Sequence, residues 1–170
     1  MLRVEDNYLN ETEHQTLYNS ITTEYFPWHF YGYKVSKHEK ETTLEAFQFV
    51  HIFYGLDNVT SHNFRILEPI LTKLNYKTLI RIKINLNPYS QKLIVGSYHQ
   101  DQEYKAKAAI YYLNTNNGYT QFKEGKEKVP SVKNRTVFFD TGAYHLGTNS
   151  TDCKNTVSYT HLTLPTIYSV

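Results

Sequence analysis

Leu79-Ile80-Arg81-Ile82-Lys83-Ile84-Asn85-Leu86 alternates apolar and polar side chains with a period of two. Successive side chains of a strand point to opposite faces. Ile80, Ile82, Ile84 and Leu86 therefore share one face, and Arg81, Lys83 and Asn85 share the other. Four aliphatic residues in a row predict a packed face. The polar face belongs either to solvent or to the lining of a pocket.

Upstream of this stretch the pattern is helical. Asn10-Glu11-Thr12-Glu13 has the form of a capping box, and Leu17 and Ile21 follow at helical spacing, predicting a helix over about 11–22. Phe26-Pro27-Trp28 ends it, and the aromatic cluster from Tyr25 to Tyr33 is expected to pack on the core. Residues 45–54 alternate well enough to predict a strand. Ser61 then caps a second helix reaching about 75 (Phe64, Leu67, Leu71 and Leu74 on one face), which Pro69 should kink or interrupt. Downstream, strands are expected over 93–99, 105–113, 119–122 and 135–140. Asn114-Thr115-Asn116-Asn117-Gly118 and Glu124-Gly125-Lys126 are the turns between them. Leading helices followed by regularly spaced short strands point to a mainly β sandwich or barrel with flanking helices.

The composition agrees. A chain of 170 residues has room for one domain and its own core. Tyrosine occurs 16 times, and aromatics make up 15% of the chain, which favours strands. A formal net charge of +2 with no basic block argues against nucleic-acid binding. Cys153 is the single cysteine, so no internal disulfide framework exists. The first residues lack a signal-peptide core, and no apolar run approaches a membrane span. A reducing cytoplasmic setting is expected. Asn10-Glu11-Thr12 and Asn58-Val59-Thr60 read as chance sequons.

The chemistry concentrates at Tyr98-His99-Gln100-Asp101 and at His145. His99 and Asp101 are two apart, so a strand would present both on one side. A second histidine from a later strand would complete a facial triad of two imidazoles and a carboxylate, the donor set of non-haem Fe(II). On spacing alone the alternative stands level: both histidines could be surface or hydrogen-bonded core residues. His51, inside a predicted strand, reads as structural or pocket-lining.

The segment from Tyr98 to Asp152 resembles the iron- and 2-oxoglutarate-dependent oxygenases, near their prolyl-hydroxylase-like branch. The resemblance rests on His99-Gln100-Asp101, Ala109-Ile110-Tyr111-Tyr112-Leu113-Asn114, Gly118-Tyr119-Thr120-Gln121-Phe122, Asn134-Arg135-Thr136-Val137-Phe138-Phe139-Asp140 and His145-Leu146-Gly147-Thr148. Phe26-Pro27-Trp28 and Arg81 to Leu86 also resemble members of the group. The resemblance implies a double-stranded β-helix (jelly roll), with a helical part over about 1–76 and a β-helix core over about 78–156. It implies that His99, Asp101 and His145 hold Fe(II), with 2-oxoglutarate and O2 as co-substrates and ascorbate as an accessory reductant. Hydroxylation of a C–H bond would release succinate and CO2. Tyr112, with Asn85 as a second candidate, would help hold the co-substrate. The substrate, peptidyl or small-molecule, is not readable from these motifs.

The resemblance also implies a basic residue about ten positions after His145 to pair with the far carboxylate of 2-oxoglutarate. Thr156 stands there, and Lys154 is the nearest cation. From about 157 the chain resembles translated sequencing-adapter read-through, so residues 157–170 are expected to be a non-native tail, His161 is not counted as a ligand, and the native last strand is expected to be missing. Two other readings follow from the missing base: a non-catalytic jelly-roll module that binds a metal or ligand, or a cupin-like metalloenzyme that does not use 2-oxoglutarate.

Overall fold

The structure, a computed structural model, describes residues 2–34, 47–74, 76–102 and 106–165, and side chains as far as Ser158. The ends of three expected elements (45–46, 75 and 105) lie outside the described residues, as does the side chain of His161.

Helix α1 (Glu11–Ile21) forms where expected. Asn10 Oδ1 accepts the Glu13 amide at 2.9 Å and the Glu13 carboxylate accepts the Asn10 amide at 3.1 Å, so two N-terminal donors are satisfied reciprocally. The helix buries His14, Leu17 and Ile21, each apolar side chain contributing about 2 kcal/mol on transfer from water. The second expected helix divides. A 3-10 segment (His62–Leu67) capped by Ser61 leads into α2 (Glu68–Leu74). Pro69 sits in the first turn of α2, where its missing N–H removes no intrahelical bond.

Eight strands make the large sheet. Its order is β1 (Arg3–Glu5), β9 (Arg135–Asp140), β6 (Ala106–Tyr112), β11 (Asn155–Pro165), β5 (Ile82–Pro88), β3 (Gln48–Gly55) and β2 (His29–Tyr31), with β4 (Asn58–Val59) paired to β3. The small sheet is β10 (His145–Gly147), β7 (Tyr119–Phe122) and β8 (Lys128–Pro130). All pairings are antiparallel. This is a mainly β jelly roll with helices flanking one sheet.

Alternation along β6 and β11 divides the core in two. Ala109, Tyr111, Leu113 and Val157 join Leu17, Ile21, Phe53 and Ile84 under the helices. Ala108, Ile110 and Tyr112 face Phe122, Val129 and Phe139 between the sheets. A strand covered on both faces reads as a continuous apolar run, which Ala108-Ala109-Ile110-Tyr111-Tyr112-Leu113 is.

One expectation is corrected. The strand over 93–99 does not form. Val95 and His99 make only isolated bridges, to Thr148 and His145. Their partner β10 is three residues long, and the Ile94 amide turns to the Asn149 side chain at 2.7 Å instead of to a strand. Residues 155–165 form the strand between β5 and β6.

Candidate metal centre and its pocket

The irregular path before His99 brings the three expected ligands together. His99 and His145 lie directly opposite each other, and each amide donates to the other's carbonyl, at 2.9 and 3.0 Å. The Asp101 amide reaches the Thr141 carbonyl at 3.2 Å, and Gln100 Nε2 donates to the Gly142 carbonyl at 2.6 Å. One ligand atom from each of His99, Asp101 and His145 lies within 4.8 Å of the other two.

Each imidazole is held through its Nδ1, which faces a carbonyl two residues back: Ser97 at 3.2 Å for His99, Ala143 at 3.0 Å for His145. An Nδ1–H in that position leaves Nε2 as the lone-pair nitrogen, the tautomer a metal requires. Burial, and then the neighbouring His145, hold His99 below the ordinary histidine range, so it stays a neutral donor. The Asp101 side chain is only 1% exposed, with His145 Nε2 at 3.9 Å and Arg81 Nη2 at 4.0 Å. Phe122 and Phe139 pack against the His145 ring, with centroids 5.8 and 4.9 Å away. A buried carboxylate flanked by two imidazoles is a donor set that suits a divalent cation.

Beside His99 and His145 a pocket opens between the sheets. Lys83 and Asn85 from β5, Tyr112 from β6, Thr120 from β7 and Thr156 and Ser158 from β11 all line it. Tyr112 donates to Thr120 Oγ1 at 2.7 Å, and burial raises its phenol above the ordinary tyrosine range, so it remains a neutral donor. Lys34 lines it as well. Among the described residues, two lysines and no carboxylate line this pocket. Tyr112 and Asn85 line this pocket, and Lys154 does not. It is exposed on the outer surface with Tyr89 and Asp152, because Thr156 and Ser158 take the inward positions of β11 and the turn before the strand carries Lys154 out. Thr156 itself is buried and donates to Ser150 Oγ at 2.7 Å.

Solved structures of similar fold give the chain its context. A prolyl hydroxylase from Trichoplax adhaerens, solved in complex with a hypoxia inducible factor oxygen degradation domain peptide fragment, superposes with a TM-score of 0.67 at 11% identity over 96% of this chain and 83% of that one. The fold is the prolyl-hydroxylase fold. Other carriers of the prolyl-hydroxylase fold agree. A Pseudomonas putida prolyl-4-hydroxylase gives 0.62 at 12% identity, over 98% of this chain and 93% of that one. The 2-oxoglutarate complex of a viral collagen prolyl hydroxylase from Paramecium Bursaria Chlorella virus-1 gives 0.61 at 13% identity, over 94% and 93%. No sequence-family profile and no curated protein sequence matches the chain.

Lys83 is the pocket residue that sequence reasoning passed over. The signal was present in the period-two alternation, which put Lys83 on the polar face with Asn85. Arg81 was missed as the neighbour of Asp101 for the same reason: nothing in one strand says which loop will fold against it.

Proposed function

We propose that the chain is a non-haem Fe(II)- and 2-oxoglutarate-dependent oxygenase that hydroxylates a C–H bond of a peptidyl or small-molecule substrate. The observation that carries the reading is the adjacency of the His99–Asp101–His145 cluster to a pocket lined by lysines and hydroxyls and by no carboxylate among the described residues. One part suits a divalent metal, the other an anionic co-substrate.

Bound there, iron and 2-oxoglutarate would supply the oxidising chemistry, with succinate and CO2 released as a C–H bond becomes C–OH. The chain's own part is placement and exclusion. His99 and His145 present Nε2 atoms oriented by their Nδ1–carbonyl contacts. Asp101 supplies the compensating negative charge from a site sealed against water. Three ligands from one side leave the remaining positions to co-substrates. Tyr112 and Asn85 offer a hydroxyl and an amide to the co-substrate's carboxylates.

Thr156 in place of a basic residue favours a second reading, a metalloenzyme of the same fold that does not consume 2-oxoglutarate. Succinate release separates the two. Iron-loaded protein should convert 2-oxoglutarate to succinate at a rate abolished by Asp101→Ala. Succinate release no faster than in that variant, from protein shown to hold iron, would sink the oxygenase reading and leave the second.

A further inference from the structure

We infer that Lys83, on the inner face of β5, is the residue that pairs with the far carboxylate of the co-substrate in this chain. The inference rests on the oxygenase reading and adds the identity of its anion-binding residue.

Four observations carry it. Strand alternation turns Lys83, Asn85 and Asn87 inward together, and all three line the pocket. Both positions after His145 that could have supplied a cation are ruled out by geometry. Thr156 is buried and committed to Ser150, and Lys154 is exposed and lines a separate surface depression, not this pocket. Lys83 is also close to the metal cluster along the strand. Arg81, two residues before it, reaches to 4.0 Å from Asp101. Asn87, which pairs with Thr156, is four residues further on, roughly 13 Å of strand. Finally, the groups beside Lys83 are hydroxyls and amides (Tyr112, Thr120, Ser158, Asn85), which can complete the solvation of a carboxylate.

Electrostatics support the same assignment. Burial, and then the charge on Arg81, push Lys83 down to about 8, against the opposing pull of Asp101. A half-buried ammonium with a cation as its neighbour gains from further negative charge. A dianionic ligand beside it would supply that charge and restore its proton affinity. Lys34 is the other cation on the pocket wall. Its carbonyl takes the Gln48 amide at 2.8 Å.

A comparison of two keto acids tests the assignment. 2-Oxoglutarate carries the far carboxylate; 2-oxobutanoate lacks it but has the same metal-chelating end. The visible charge-transfer band of anaerobic Fe(II)-loaded protein is titrated with each. Lys83→Met keeps the aliphatic stem and removes the charge. It should weaken 2-oxoglutarate roughly 10- to 100-fold, the cost of losing a charged hydrogen bond, while 2-oxobutanoate binds as in the wild type within about twofold. Lys83→Arg should recover part of the loss. Lys154→Met should leave both ligands unchanged. The 2-oxobutanoate band doubles as the check that each variant is folded and holds iron. An unchanged 2-oxoglutarate titration in Lys83→Met, or a loss confined to Lys34→Met, overturns the assignment while the oxygenase reading stands. A wild-type chain that gives no band with either keto acid overturns both.

Discussion

His99 and His145 hold each other by their backbones before either meets a metal. Their amides and carbonyls pair reciprocally at 2.9 and 3.0 Å, and their rings lie 4.6 Å apart between centroids. Two ligands far apart in sequence are thus positioned by one antiparallel bridge, with Asp101 brought in by its own bond to Thr141. The metal cluster is a property of the folded backbone, and it should exist in the metal-free protein.

Loss of the carboxylate should therefore separate chemistry from stability. Asp101→Asn preserves shape and removes the charge. It should lower iron affinity by more than the roughly 10- to 100-fold that outer-shell changes cost, with the far-ultraviolet spectrum of the metal-free chain unchanged. Dialysis against a chelator of known affinity, followed by iron analysis, checks it.

Tyr112 joins the pocket to the small sheet through its 2.7 Å bond to Thr120. Tyr112→Phe leaves the Thr120 hydroxyl without that donor and should cost about 1 kcal/mol of stability. It should also raise the 2-oxoglutarate concentration needed for half-maximal succinate release several-fold. Urea unfolding and steady-state titration read the two effects separately.

Asn134 is a structural latch that does not line the pocket. Its backbone is in the left-handed region at φ 61°. Its Oδ1 accepts the Leu9 amide at 2.8 Å and the Tyr111 hydroxyl at 3.0 Å, and its Nδ2 donates to the Leu9 carbonyl at 2.7 Å. Asn134→Ala strains the backbone, removes the partner of the Leu9 amide and carbonyl, and takes one of two contacts from the Tyr111 hydroxyl, and should destabilise by about 2–4 kcal/mol. A thermal melt shows it, and iron binding by the folded fraction should be intact.

Acid should destabilise the chain through two histidines outside the site. His14 meets the Tyr111 hydroxyl at 2.5 Å, and His51 lies between the Pro27 carbonyl at 2.9 Å and Ser61 Oγ at 2.7 Å. Burial lowers both from their ordinary value of 6.5. The unfolded chain then binds protons that the folded chain refuses. Their contribution is complete above pH 6.5 and is lost as pH falls toward the lower folded values. Melting temperatures at pH 7.5 and 5.5 should differ, and His51→Gln should narrow the gap.

Much of this molecule was legible in its residues because local and tertiary forces agree there. Asn10 and Glu13 form a capping box by proximity alone. The alternation in β5 and the apolar run of β6 report which faces are covered. The His99–Asp101–His145 cluster was legible because two-residue spacing survives in any extended backbone. Where tertiary pairing decides, the sequence was silent. Nothing in Leu93 to Tyr98 says that its partner will be only three residues long, so a promising strand became two bridges. Nothing in Thr156 and Lys154 says which will face inward; that depends on the register of β11 against β5. Lys83 had to await that register too, since a polar strand face reads the same toward water as toward a pocket.

Anaerobic Fe(II) binding by the wild-type chain and Asp101→Ala tests the central claim most directly. The cluster predicts about one Fe(II) retained per wild-type chain after desalting, and little or none in the variant. Equal retention by the two proteins, or none by the wild type, would contradict it.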